Sequence, residues 1–295
     1  MEMERIKTGI FGLDRILEGG LRDKQTIVIV GSSGTGKSTF AMQFLMHGIE
    51  NGEQGLYITM EETPEQIMSE ASIMGWDMKK HYEKSLYFIH LKGKNFKKMI
   101  KEQLPTLVKA RQDYDIKTRV VIDPMTPLLW AVEDKLEQRE LIAELFYTLK
   151  ELGVVVCTVE EHAKPGEQLG EDVLIPTYLS DGVIHLDYYP IGGAFNRTLK
   201  VIKMRGVQHG EGLYPYIFAR GVGVIVKTSP VEKSEEKKKK YDEIFDGALK
   251  TAEMLKAPEY VIAKLQNMKK NWSYDYSPEE ALQIIFDTYE LKQKA

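Results

Sequence analysis

The chain has 295 residues, which at about 100–200 residues per domain makes one large domain with an appendage, or two small ones. Apolar residues at 43% and charged residues at 28% are ordinary for a globular protein and exclude a disordered, collagenous or membrane class. With 40 Lys and Arg against 44 Asp and Glu the net charge is −4, so no bulk positive field recruits nucleic acid or anionic lipid.

A lone cysteine, Cys157, cannot form an intramolecular disulfide and reads as an inert core thiol. No stretch reads as a signal peptide, and none reaches the ~20 apolar residues that a bilayer crossing needs. The expected compartment is the cytoplasm, with no membrane insertion.

In chain order, β-rich runs recur at Thr26–Val30, Gly55–Thr59, Ser85–His90, Arg119–Asp123 and Val154–Val159. Most are continuously apolar and do not alternate. Strands covered on both faces read this way, so the spacing predicts an α/β fold with a mainly parallel sheet flanked by helices. The first run is followed by an apolar-periodic helix containing Phe40, Phe44, Leu45 and Ile49. After the second run, Thr63-Pro64-Glu65-Gln66 forms a helix start with a capping box. Asp134 with Glu137 opens another helix, whose apolar residues Leu141, Ile142, Leu145, Phe146 and Leu149 share one face.

From Asp181 onward the strands are shorter, at Gly182–Leu186, Arg197–Met204, Tyr216–Arg220 and Gly223–Val226, and glycine turns separate them. They predict an antiparallel extension of the sheet. Residues 230–240 are mostly charged with almost nothing to bury and read as a linker, and 241–295 return to helical periodicity as a small tail, with a second capping box at Ser277-Pro278-Glu279-Glu280. The expected organisation is a catalytic domain over 1–229, a charged linker over 230–240 and a helical segment over 241–295.

The stretch Gly31-Ser32-Ser33-Gly34-Thr35-Gly36-Lys37-Ser38 fits G-x-x-x-x-G-K-[ST] at every fixed position, after a strand and before a helix. Glycines let backbone N–H groups approach phosphate oxygens, and the helix N-terminus adds partial positive charge. Lys37 supplies full charge to the phosphates, Ser38 is a Mg²⁺ ligand, and Thr39 continues the nucleotide-binding loop. Asp123, ending its apolar run, fits the second acidic anchor for the metal. Glu61 and Glu62 lie just past the second strand, at the sheet edge where α/β proteins place ligands. They are candidate water-activating carboxylates, and equally natural companions of the Thr63-capped helix dipole.

Together, Lys7–Leu21 (KTGIFGLDRILEGGL), Gly31–Phe44, Gly55–Glu62 (GLYITMEE), Val120–Asp123, Leu179–Leu186 (LSDGVIHL) and Lys203–His209 (KMRGVQH) resemble the KaiC family of RecA-like ATPases. The resemblance spans about Lys7 to Val226 and is that of a single-domain member. It implies an ATP-binding, slowly hydrolysing ring, usually a hexamer, with ATP or ADP and Mg²⁺ between subunits. It also implies that Glu61 and Glu62 are the catalytic pair and that Lys203 and Arg205 are cations reaching the neighbouring subunit's γ-phosphate. His209 takes the family's histidine position near the nucleotide.

Two departures stand out. Arg22-Asp23-Lys24 follows the Gly-Gly-Leu where the family commonly has Pro-x-Gly, and Pro124 replaces the hydroxyl residue after the acidic anchor. Thr177 and Tyr178 correspond to the phosphorylated hydroxyl residues of the clock protein's kinase-active half, so autokinase activity is a secondary implication.

Two other functions remain open on the sequence. One is a nucleotide-binding scaffold that rarely turns over. The other is a DNA-associated RecA-like ATPase, against which the acidic run Glu160–Asp172 would repel phosphates. The lysines 92, 94, 97, 98 and 101 around Phe96 favour DNA, but their spacing also suits the solvated face of a helix. Nucleic acid is therefore not the expected partner. A protein partner would dock through the C-terminal helices.

Overall fold

Thr26–Gly31 shows why a mainly parallel sheet forms, because its alternate residues enter two different cores. Ile27 and Ile29 join one cluster of buried side chains, and Val28 and Val30 the other, so neither face of the strand meets water. The computed structural model describes residues 5–91, 96–112, 116–162, 173–191, 194–227, 236–272 and 278–289.

The strands are β1 (Thr26–Gly31), β2 (Gln54–Thr59), β3 (Leu86–His90), β4 (Thr118–Asp123), β5 (Val155–Glu160), β6 (Gly182–Ile191), β7 (Ala194–Met204), β8 (Tyr214–Ala219) and β9 (Gly223–Val226). They form one sheet in the order β3-β2-β4-β5-β1-β6-β7-β8-β9. Pairing is parallel from β3 through β6 and antiparallel from β6 through β9. The run starting at Gly182 is thus the last parallel strand as well as the first arm of a hairpin.

Helices α1 (Leu13–Ile16), α2 (Lys37–Glu50), α3 (Pro64–Ile73) and α4 (Met78–His81) come from the first third of the chain. Next come α5 (Phe96–Lys98), a π-helical turn at Met99–Gln103, α6 (Leu104–Gln112), α7 (Thr126–Ala131), α8 (Lys135–Leu149) and α9 (Leu174–Leu179). The expected caps form. Thr63 and Gln66 make the reciprocal capping box of α3, and Asp134 accepts from the Glu137 backbone at the head of α8. In the turn after Leu21, where the family's Pro-x-Gly is missing, Lys24 takes φ 55° and the Gln25 side chain accepts from the Arg22 backbone.

The C-terminal helices are α10 (Glu236–Met254), α11 (Glu259–Asn271) and α12 (Pro278–Thr288). Helix α10 starts inside the span read as linker; residues 228–235 and Ser277 lie outside the described residues. Phe245, Val261, Leu265, Met268 and Ile285 build a third core that also takes in Phe11 and Ile225. Burying such side chains contributes roughly 1.5–3 kcal/mol each, which explains why this segment adheres to the rest of the chain. No helix among the described residues is long and apolar enough to cross a membrane.

Candidate functional site

The loop after β1 depends on glycine. Gly34 and Gly36 take φ 78° and 92°, and a Cβ on Gly36 would stand 2.1 Å from the Phe218 ring. Gly31 is equally constrained, since its Cβ would meet the Leu186 carbonyl at 2.3 Å. Around this turn the antiparallel extension forms a wall. Tyr188 donates to the Gly34 carbonyl at 2.8 Å, and Tyr216 donates to that of Thr35. The Thr35 hydroxyl donates to Ser32 O at 2.8 Å, while Ser33 and Gly34 form the exposed tip. Arg197 lies over the rings of Tyr188 and Phe218, 5.2 and 4.7 Å from their centroids.

Lys37, the first residue of α2, turns its ammonium back over the loop and donates to the carbonyls of Gly31 and Ser32 at 2.9 and 3.0 Å. Burial pulls its pKa down, and Glu160, Asp123 and Glu161 oppose that pull. Next to it the Ser38 hydroxyl donates to Asp123 Oδ1 at 3.1 Å. Thr158 of β5 and Tyr57 of β2 donate to the same carboxylate, one to each oxygen. Asp123 ends β4 between those two strands, so neighbours on both sides fix its orientation. A hydroxyl and a fixed carboxylate are hard oxygen donors of the kind Mg²⁺ selects, and the glycine cradle beside them suits a polyphosphate.

Glu61 is exposed and Glu62 half-buried past the end of β2. Both carboxyls are raised above the ordinary glutamate value. Partial desolvation is the main cause for each, with Glu160 and Asp123 acting on Glu61, and Glu70, Asp123 and Glu61 acting on Glu62. Raised carboxyls beside a phosphate cradle suit proton acceptance.

Lys203 and Arg205 lie elsewhere. Gly31 pairs with Leu186, whereas Lys203 pairs with Val183, which aligns with Val28 of β1; the Arg205 backbone N–H bonds to Asp181 O beyond the start of that register. At ~3.3 Å per residue, Lys203 is displaced along the strands by roughly 10 Å from the level of Gly31, toward the opposite sheet edge. The Lys203 ammonium donates to the carbonyls of Thr177 and Tyr178 at 2.9 and 3.3 Å, and burial and Arg205 lower its pKa. The exposed Arg205 guanidinium lies 3.8 Å from Asp181. His209, in the loop leaving this edge, donates from Nδ1 to Gly210 O at 3.1 Å.

A register shift between Val183 and Ile184 puts one extra residue, Ile202, into β7 just before Lys203. Such a bulge re-aims the side chains that follow it. The bulge, Tyr57, Thr158 and the wall of Tyr188, Tyr216 and Phe218 all escaped the sequence reading. Tyr57 and Thr158 did carry a faint signal, as hydroxyls within runs that are otherwise apolar.

With the cradle and its acidic anchor in place, the comparisons decide the family. The profile described as ATPase: KaiC matches residues 6–231. The chain belongs to the KaiC ATPase family. A UPF0273 protein of Pyrococcus furiosus is 32% identical over 235 residues, covering 72% of this chain and 90% of its own length. The circadian clock oscillator protein KaiC of Prochlorococcus marinus is 32% identical over 240 residues, which cover 77% of this chain but 45% of that longer protein. Among solved structures, a KaiC-like protein of Pyrococcus horikoshii superposes with a TM-score of 0.64 at 28% identity, covering 77% of this chain and all of its own. The family is thus a nucleotide-binding P-loop family with an α/β sheet of this arrangement.

Proposed function

We propose that this member of the KaiC family is a regulatory ATPase that binds ATP with Mg²⁺, turns it over slowly and works as a ring, a hexamer by family resemblance, with nucleotide at the subunit seams. The observation that carries this reading is the separation within one chain of the cradle at Gly31–Ser38 from the cations Lys203 and Arg205. Cations at the far sheet edge serve a cradle only if that cradle belongs to a neighbour. Charge supplied in trans is a recurrent way to stabilise phosphoryl transfer.

When bound, ATP and Mg²⁺ supply the transferable phosphoryl group and the metal charge beside it. Lys37 and the loop amides hold phosphate, and Ser38 and Asp123 offer the metal its oxygens. Glu61 and Glu62 orient water and take its proton, while Lys203 and Arg205, with His209 nearby, complete the neighbour's site. In this reading residues 1–229 do the chemistry. Residues 241–295 pack on the ring they belong to and offer a surface to a protein partner.

The DNA-associated alternative loses ground. Phe96 is 3% exposed and unavailable for base stacking, and Lys97 pairs with Glu137 at 2.5 Å. Lys92 and Lys94, and the run 163–172, lie outside the described residues. Autokinase activity stays secondary, since Thr177 is buried with its hydroxyl donating to Leu174 O.

Native mass with and without ATP–Mg²⁺, measured alongside phosphate release, tests the proposal. Assembly with slow release supports it. Assembly with no release leaves the scaffold reading in its place, and a monomer under all conditions overturns the ring.

A further inference from the structure

A cavity of about 340 Å³ opens at the far end of α2, lined by His47 of that helix and Asn51 at its C-terminal cap, while the phosphate-binding loop lies at its other end. The cavity forms a seam between the sheet and the C-terminal helices. Arg5, Lys7, Lys117 and Arg119 stand around it, and Tyr260 and Tyr289 close it from the C-terminal side. One carboxylate, Glu53, is in the lining, and it is already engaged by Arg119 through bonds of 2.8 and 2.9 Å.

The lining holds four cations against that one carboxylate. Lys7 makes no ion pair among the described residues, and Arg5 Nη2 meets Glu18 only at the long distance of 4.0 Å. Among the described residues, Arg5 Nη1 is buried without a hydrogen-bond partner. A buried donor left unmade is unfavourable, and an oxyanion would satisfy it. His47 reports the same field. Burial chiefly, then Arg119, Lys264 and Lys7, hold its pKa down at about 3, so the imidazole is neutral and adds no charge.

The geometry points to a binding site for a small phosphorylated molecule in this seam, with Arg5, Lys7 and Lys117 receiving the phosphate and the two tyrosines forming the wall beside it. The volume admits a ligand the size of pyrophosphate or a nucleoside monophosphate. The site uses no residue of the phosphate-binding loop and does not depend on the function proposed above.

The test uses the full chain carrying Lys37→Ala, so that the loop does not dominate, and calorimetric titration with inorganic phosphate, pyrophosphate, AMP and adenosine. Binding of at least one of the three phosphates is expected, with none for adenosine. Adding Arg5→Ala and Lys7→Ala should lower that affinity about tenfold or more, since charge-assisted contacts to phosphate are lost. Should that variant fail to fold, the exposed Lys117→Glu change should weaken binding in the same way. Pyrophosphate and AMP, titrated separately, tell an inorganic ligand from an organic one.

The proposal is overturned if none of the three phosphates binds, or if their affinity survives these substitutions. It also fails if adenosine binds as well as AMP, or if an oligoglutamate peptide binds in preference to the phosphates.

Discussion

Tyr57 donates its hydroxyl to Asp123 from the neighbouring strand, and it does so while 1% exposed. Burial first, then the Asp123 charge, hold the phenol well above its ordinary pKa, so it remains a donor at any working pH. Burying a carboxylate is costly unless such donors satisfy its oxygens.

Tyr57→Phe removes one donor and nothing of the ring. A hydrogen bond to a charged group contributes about 1.5–3 kcal/mol, so urea denaturation should show a loss in that range. Because the ring still fills its place, the denaturant dependence should keep its slope while the midpoint falls.

The raised carboxyls of Glu61 and Glu62 set a pH expectation. A proton acceptor works in its ionised form, and partial desolvation with neighbouring carboxylates lifts both groups above the glutamate value of 4.5. Phosphate release should therefore fall on the acid side, with its midpoint above that value. The double change Glu61→Gln and Glu62→Gln should lower release about 100-fold or more, given the usual size of general-base contributions. ATP binding, measured by fluorescence of a labelled analogue, should stay within a few-fold of wild type.

Much of this site is visible in the residues themselves, since Gly31–Ser38, Asp123 and the Glu61–Glu62 pair announce themselves by type and spacing. The parallel strands are equally legible, because Thr26–Val30 and Val154–Val159 are apolar on both faces. What is not legible depends on pairing across long separations. Tyr57 and Thr158 gain meaning only when β4 is inserted between their strands, and the extra residue at Ile202 exists only relative to β6. Likewise nothing in the sequence of the extension says that Tyr188, Tyr216 and Phe218 face the glycine loop, a contact set by the order of β1, β6, β7 and β8.

The C-terminal helices are fastened to α2 by Lys264, whose ammonium lies 3.0 Å from Glu50 and 3.0 Å from the Tyr289 hydroxyl. Burial works against this charge, and Tyr289 and Glu50 outweigh it, leaving the lysine's pKa raised. Lys264→Met leaves Glu50 without its cation in a largely buried place and should destabilise the fold by about 2–4 kcal/mol. Adding Glu50→Gln should recover part of that loss, because the stranded charge is gone. A double-mutant cycle by chemical denaturation measures the coupling, and additive losses would show that the pair does not fasten the helices.

His47 is 8% exposed, and its pKa of about 3 lies far below the ordinary histidine value of 6.5. Between those values the unfolded chain binds a proton that the folded chain refuses, so this group makes stability rise with pH. Its contribution is full above about 6.5 and is lost on acidification toward 3, by up to roughly 1.4 kcal/mol per pH unit. Asp14 acts in the opposite sense. Burial raises its carboxyl to about 6, so between 3.8 and 6 the folded chain holds the extra proton and stability falls as pH rises. The two slopes oppose one another in the overlapping window, and the wild-type profile alone hides both. The informative quantity is the stability of wild type minus that of His47→Gln, measured by urea denaturation from pH 7.5 to 4.5. That difference should shrink steadily as pH falls below 6.5, and a difference independent of pH would mean that the imidazole titrates normally in the folded chain.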